Sequence, residues 1–176
     1  MKSVLRYTAA GVALATFGFA SAAQAATANA DATAEILSTL QITAVTTDRT
    51  LDFGDIADNG LTGPSTVVVD PAGVRTCGAN LTCSGTTEAP TFNVTGLVGS
   101  QVAISFPAAT APLTYAGTVP TGMTGTMTVG TFTSSTSSLT LVAGNNPFTI
   151  GGTLTVNQLQ APGVYTGTVA VEVQYN

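Results

Sequence analysis

The sequence predicts an all-β sandwich, and three observations carry that expectation. Its apolar runs alternate with polar residues at period two, as in ATANADATAEI (Ala26–Ile36) and the final GVYTGTVAVEVQYN (Gly163–Asn176); this is the repeat of a half-buried strand, not of a helix. Threonine supplies much of the polar surface, and its β-branched side chain sits well on a pleated sheet. Glycine and proline, 19 and 8 residues of 176, interrupt the runs at short intervals, which favours a sandwich over strands alternating with helices. Recurring apolar content of this kind also sets disorder aside.

Taken in order, the elements begin with a leader. Met1–Ala25 has a short basic start (Lys2, Arg6), an apolar run and the small-residue ending Ala23-Gln24-Ala25, the pattern of a secretory signal peptide. The apolar run is too short for a membrane span, and no membrane insertion is expected of the remainder. Cleavage after Ala25 leaves an N-terminal extension at 26–36 and a sandwich domain at 37–176. The parity of the extension continues through Leu40, Ile42 and Ala44, predicting one long extended segment, or two in line, to about Val45. Leu51–Ile56 reads as a short strand closing at Asp58-Asn59-Gly60, a strong turn signal. Thr66–Val69 follows, ended by the turn Asp70-Pro71-Ala72-Gly73. Thr91–Thr95 and Gln101–Phe106 alternate, and the Gly96–Ser100 link predicts a hairpin. Further strands are expected at Thr126–Phe132, Leu139–Val142, Thr153–Val156 and Val164–Tyr175. On the last, Tyr165, Gly167, Val169, Val171, Val173 and Tyr175 share one face. A terminal strand of that length must pair along its whole backbone or leave many polar groups without partners.

Charge narrows the function. Removal of the leader takes away Lys2 and Arg6, leaving Arg49 and Arg75 against nine carboxylates, with no His, Lys or Trp. No basic footprint for nucleic acid can be built from that set, and attraction to anionic membranes is disfavoured in the same way. Nucleophilic catalysis lacks a His or Lys base, and a sugar-cleaving carboxylate pair lacks a visible aromatic platform. An enzyme is not expected, nor a cofactor. Cys77 and Cys83, an even count in a secreted chain, predict a disulfide on a hairpin tip. They are not a Cys-x-x-Cys pair and have no His to complete a zinc site. Asp52, Asp55 and Asp58 invite a calcium reading, but their spacing does not match the twelve-residue calcium loop. Solvent-facing carboxylates at a strand end are the expectation, and no metal site. Asn80-Leu81-Thr82 and Asn93-Val94-Thr95 match the glycosylation pattern, which is common by chance.

Three pieces together resemble a known family. Leu51-Asp52-Phe53-Gly54-Asp55-Ile56 resembles the L-x-F-G-x-I element of the bacterial secreted domain-of-unknown-function family 4402. Phe148–Val156 resembles its x-x-G-G-x-L-x-V segment, and Gly163–Thr168 with the terminal Val-x-Val-x-Tyr resembles its ending. That family is similar to the spore coat protein U group, which includes subunits of archaic chaperone–usher pili. Such pilins carry a Gly fourteen residues from the end and a penultimate aromatic, places held here by Gly163 and Tyr175.

The resemblance implies an immunoglobulin-like, pilin-like sandwich short of one strand, with the extension of the next subunit filling the gap. Ala28, Ala30, Ala32, Ala34 and Ile36 would then be the groove-facing residues of a donor strand. Eleven extended residues span about 36 Å at about 3.3 Å each, enough to run along a whole sandwich. Gly163, Tyr165, Val169, Val171, Val173 and Tyr175 would form the C-terminal strand that a periplasmic chaperone pairs with. The implied protein is a subunit of an extracellular fibre: a head-to-tail polymer of itself, handled by a chaperone and an outer-membrane usher, passing through the periplasm to a Gram-negative cell surface and contributing to attachment. The alternative is a self-contained secreted sandwich, with the extension folded into its own sheet, that binds a carbohydrate or a surface partner.

Overall fold

One strand organises the sheets. In the computed structural model, which describes Asp31 and residues 33–176, β11 (Asn146–Val156) runs for 11 residues through the centre. Its sequence NPFTIGGTLTV places Phe148, Ile150, Leu154 and Val156 in the interior. The first half of β11 pairs with β6 (Thr91–Thr95), setting Phe148 opposite Phe92, and β1 (Gln41–Ala44) lies beyond β6. The second half pairs with β3 (Ser65–Val69) along the same edge, and β4 (Arg75–Cys77) lies beyond β3. Along the other edge come β9 (Thr126–Ser134), β8 (Thr110–Tyr115) and the two-residue β12 (Tyr165–Thr166). All these pairings are antiparallel. Where β11 passes from β6 to β3 the chain is glycine: a Cβ on Gly151 would collide with the Val69 carbonyl oxygen, so no side chain fits the approach.

The facing layer has two parts. β7 (Gln101–Ser105) lies between β10 (Ser138–Thr140) and β13 (Glu172–Tyr175). β2 (Asp55–Asp58) pairs with β5 (Leu81–Ser84) as a separate ribbon. Each part covers its own core. Val94, Val102, Leu141, Phe148 and Ile150 are buried beneath the β10–β7–β13 sheet. Phe53, Val67, Val69, Val129, Leu154 and Val156 are buried beneath the β2–β5 ribbon and the segment leading into it. Burial of such side chains is worth about 1.5–3 kcal/mol each. Every element among the described residues is a strand, and the arrangement is an all-β sandwich, as alternation predicts. No helix among the described residues is long and apolar enough to cross a membrane.

Several local expectations are corrected. β6 and β7 are not a hairpin: β6 pairs with β1 and β11, whereas β7 pairs with β10 and β13. The Gly96–Ser100 link crosses between layers because Val94 and Val102 bury into one core from opposite sheets. The terminal segment is not one strand either. β12 pairs with β8 in one sheet and β13 with β7 in the other, and residues 167–171 between them lie in no ladder. The parity of the side chains still survives, with Val169, Val171, Val173 and Tyr175 half-buried and their neighbours exposed. Leu51–Ile56 yields only a bridge at Asp52 and the start of β2. β4, β5 and β8 were not expected. Towards the N-terminus, the first ladder begins at Gln41, and residues 33–40 are outside regular structure. The signal peptide and most of the extension, including Ala28, Ala30 and Ala32, lie outside the described residues.

Candidate functional site

A groove opens over the second core, with a volume of about 1090 Å³. One wall is the stretch from Arg49 to Ile56, whose only pairing before β2 begins at Asp55 is the bridge of Asp52 with Glu88. The other wall is Gly163 to Val169. The floor is apolar, with Phe92, Leu113, Met127, Val129, Ile150 and Leu154 contributed by β6, β8, β9 and β11. These are the inward positions of alternating strands; Val129, Ile150 and Leu154 are buried among their core neighbours, and Phe92, Leu113 and Met127 are half-buried.

The first wall is held by a cation. Arg75, on β4, donates from Nη1 to the carbonyls of Phe53 (3.0 Å) and Ser84 (2.6 Å) and from Nη2 to that of Gly85 (3.4 Å). Its fork thereby joins β4 to the end of β5 and to the segment leading into β2, and it fixes the carbonyl of Phe53, the buried residue of this wall. The Asp52 carboxylate accepts from the Gly54 N–H at 2.8 Å, turning the chain at the wall's midpoint.

The second wall is held by an aromatic pair. Tyr165 packs on Tyr115, ring centroids 5.5 Å apart, and its hydroxyl sits 2.7 Å from the Ala161 carbonyl oxygen, accepting in turn from Gln160 Nε2 at 3.1 Å. Gly163 has φ +142°, and a Cβ there would run into the Tyr115 ring. Its place fourteen residues from the end thus has a local cause: only glycine turns the chain against that ring.

Of the residues singled out in the sequence, Ala34 and Ile36 are described and exposed, Ile36 at 93%. Tyr165 and Val169 border the groove. Val169, Val171, Val173 and Tyr175 pack against the first core. Tyr175 is further tied down: its hydroxyl accepts from the Leu97 N–H at 2.7 Å and donates to the Ser38 carbonyl at 3.0 Å. Cys77 and Cys83 form the expected disulfide, with Cα atoms 6.1 Å apart, but in an unexpected setting. Their strands β4 and β5 are not ladder partners, so the bridge joins the large sheet to the ribbon and does not close a hairpin tip.

Asp52, Asp55 and Asp58 are not gathered. Asp52 turns Gly54 as described, and Asp58 accepts from the N–H groups of Gly60 (2.8 Å) and Leu61 (2.7 Å). Among the described residues no group of three His, Cys, Asp or Glu side chains is placed to hold a metal ion. Of the two sequons, Asn93 is committed to structure, its Oδ1 accepting from the Asn146 N–H at 2.6 Å, whereas Asn80 is exposed at a turn with φ 59°. Sequence reasoning missed the floor residues Leu113 and Met127 and the clamp Arg75. An arginine in a nearly cation-free chain was the available signal for the last.

Fold and groove define a class: an all-β sandwich domain with an apolar trough left open along one flank. Residues 40–175 match the family described as Domain of unknown function (DUF4402), and the chain belongs to that family. No curated protein and no solved structure matches the chain.

Proposed function

We propose that this protein is a structural subunit of an extracellular fibre, polymerised by insertion of one copy's N-terminal extension into the groove of the next, as in pilin-like, immunoglobulin-type subunits. The observation that carries the proposal is the groove itself. Its floor is apolar, and it is flanked by two stretches of extended chain with few ladder partners, one of which continues into residues 167–171. An added strand gains main-chain hydrogen bonds from such an edge and specificity from alternate side chains. The extension ATANADATAEI has the matching period, with Ala28, Ala30, Ala32, Ala34 and Ile36 on one side. Small knobs are what this groove takes, because Phe53 and Leu51 from the subunit's own wall already fill part of its depth.

The placement of the two ends favours a chain of subunits over a closed pair. The backbone joins the sandwich at Ser38–Leu40, beside Gly96 and Tyr175. The groove begins past the other end of β1, at Ala44 and Phe92. A donor leaving at one end and an acceptor at the other make a head-to-tail contact, and such a contact builds filaments when its rotation does not close. In this proposal the subunit leaves the cell through a cleaved secretory leader. A periplasmic chaperone pairs with the C-terminal strand and protects the groove in transit, an outer-membrane usher exports it, and the subunit performs no chemistry.

Expression with the neighbouring assembly proteins and electrophoresis in cold SDS test this. Ladders of multimers are expected from the intact chain, and loss of ladders on deletion of residues 26–35. Ladders that survive the deletion, or a stable compact monomer purified without any chaperone, overturn the proposal.

A further inference from the structure

The sheet that floors the groove has a second face. On β11, Leu154 points to the groove while Thr153 and Thr155 point away; on β9, Met127 and Val129 face the groove and Thr128 the opposite side. Alternate residues of a strand take opposite faces. Thr155 lies across from Thr66 on β3 and from Thr128 on β9, so three threonines form a row across three strands, spaced by about 5 Å. The chain between β7 and β8 and the bulge of β9 at Thr131 line the same face, making a cleft of about 610 Å³. Phe106 and Phe132 stack at its edge, with centroids 5.3 Å apart; both are half-buried, Phe106 also packing against the first core and Phe132 against the second. Thr131 holds φ 48° beside the register shift between β9 and β11. That conformation is a genuine outlier for a β-branched residue, and bulges of this kind re-aim a side chain.

The lining specifies a ligand chemistry. It contains no charged residue. Six threonines contribute, Thr66, Thr110, Thr128, Thr131, Thr153 and Thr155, each hydroxyl able to donate once and accept twice. The threonines whose hydroxyls donate to the backbone, Thr43, Thr87 and Thr136, lie elsewhere. Among the described residues none of the six is engaged in such a bond, and none is a buried orphan. Between the hydroxyls the surface is methyl, alanine and phenyl. A polyhydroxylated, uncharged chain with apolar C–H faces matches both halves of this lining, while an ionic ligand finds no counter-charge in it.

We propose that this cleft binds a neutral glycan chain, with threonine hydroxyls pairing with sugar hydroxyls and the phenyl and methyl surface lying against ring C–H faces. The site stands independently of fibre assembly. It occupies the opposite face of the sheet from the groove, so a subunit with its groove filled keeps the cleft open.

The test is titration of the purified protein with maltohexaose, cellohexaose, xylohexaose and chitohexaose, followed by backbone-amide NMR shifts and calorimetry, with a heparin hexasaccharide as the charged control. At least one neutral oligosaccharide is expected to give saturable shifts at Thr128, Thr153 and Thr155, and the heparin fragment none. The double variant Thr153→Val and Thr155→Val, and the exposed Thr128→Val in case the double variant does not fold, are expected to weaken binding tenfold or more with the spectrum of the fold retained. The proposal is overturned if no neutral probe binds at millimolar concentration, if the folded variants bind as tightly as the parent, or if the shifts map to the groove.

Discussion

The hydroxyl of Tyr175 donates to the carbonyl of Ser38 at 3.0 Å, across 137 residues of sequence. The same oxygen accepts from the Leu97 N–H at 2.7 Å. The end of the chain therefore fixes the point at which the N-terminal segment meets the sandwich, and of the two main-chain groups it serves the Leu97 N–H is part-buried. The penultimate aromatic has a structural task at the base of the extension, whatever pairs with its strand.

Tyr175→Phe isolates that task, because the ring keeps its packing against the first core and only the hydroxyl is lost. Stability is expected to fall by about 1–2 kcal/mol, the usual cost of a partly buried hydrogen bond with its partner left behind. Urea unfolding measures it, and limited proteolysis at residues 36–40 is expected to quicken in parallel. Unchanged stability and unchanged cleavage would show the hydroxyl to be dispensable.

Gly163→Ala sets a side chain at φ +142° against the Tyr115 ring. A strained backbone of this kind costs about 1–3 kcal/mol, and the Tyr115–Tyr165 pair must also shift. Thermal unfolding is expected to move down by several degrees. Restoring room with Gly163→Ala in a Tyr115→Leu background is expected to recover part of the loss, leaving the backbone strain.

Both positions bear on how far the sequence can be read. Period-two alternation identified the fold class and most of the strands, because one face of each strand is buried and the other wet, as β3 and β9 demonstrate. It could not say which strand pairs with which. Thr91–Thr95 and Gln101–Ser105 look like hairpin partners by spacing, and only their ladders, β6 with β1 and β11, β7 with β10 and β13, reveal that Val94 and Val102 meet in one core from opposite layers. β8 hid behind its Pro112, which sits at an exposed position of the strand. The disulfide was legible from two cysteines, but its role as a joint between sheet and ribbon depends on ladders that no local pattern encodes. The groove was not legible in any local pattern; its walls are residues with little pairing of their own.

The joint made by Cys77 and Cys83 closes a short loop, for which the chain-entropy model gives about 2 kcal/mol. Cys77→Ala with Cys83→Ala is expected to lower stability by that amount in urea. Because the bridge spans β4 and β5, the loss should appear locally as well, as faster amide exchange in the β2–β5 ribbon than in β6 or β7. Uniform acceleration throughout the domain would mean that ribbon and sheet open together, and that the bridge is not a separate joint.

Arg75 serves the same junction by another route, and the choice of arginine is testable. Three carbonyl oxygens, from Phe53, Ser84 and Gly85, converge on one guanidinium. A planar fork with five fixed donors can meet them together, whereas an ammonium is a compact charge at the end of a flexible stem. Arg75→Lys is therefore expected to behave as a defect, and Arg75→Ala as a worse one, costing about 1–3 kcal/mol as charge-assisted bonds are lost and the part-buried Phe53 carbonyl stays unpaired. The spatial pattern matters more than the total. Amide exchange should rise at Asp52–Ile56 and Thr82–Thr86 while β7, β10 and β13 keep their protection, since those strands cover the other core. If assembly uses the groove, the same variant loosens one wall of it, and multimer ladders should form more slowly at equal subunit concentration. A lysine variant with parental stability and parental exchange would remove the guanidinium from any part in shaping that wall.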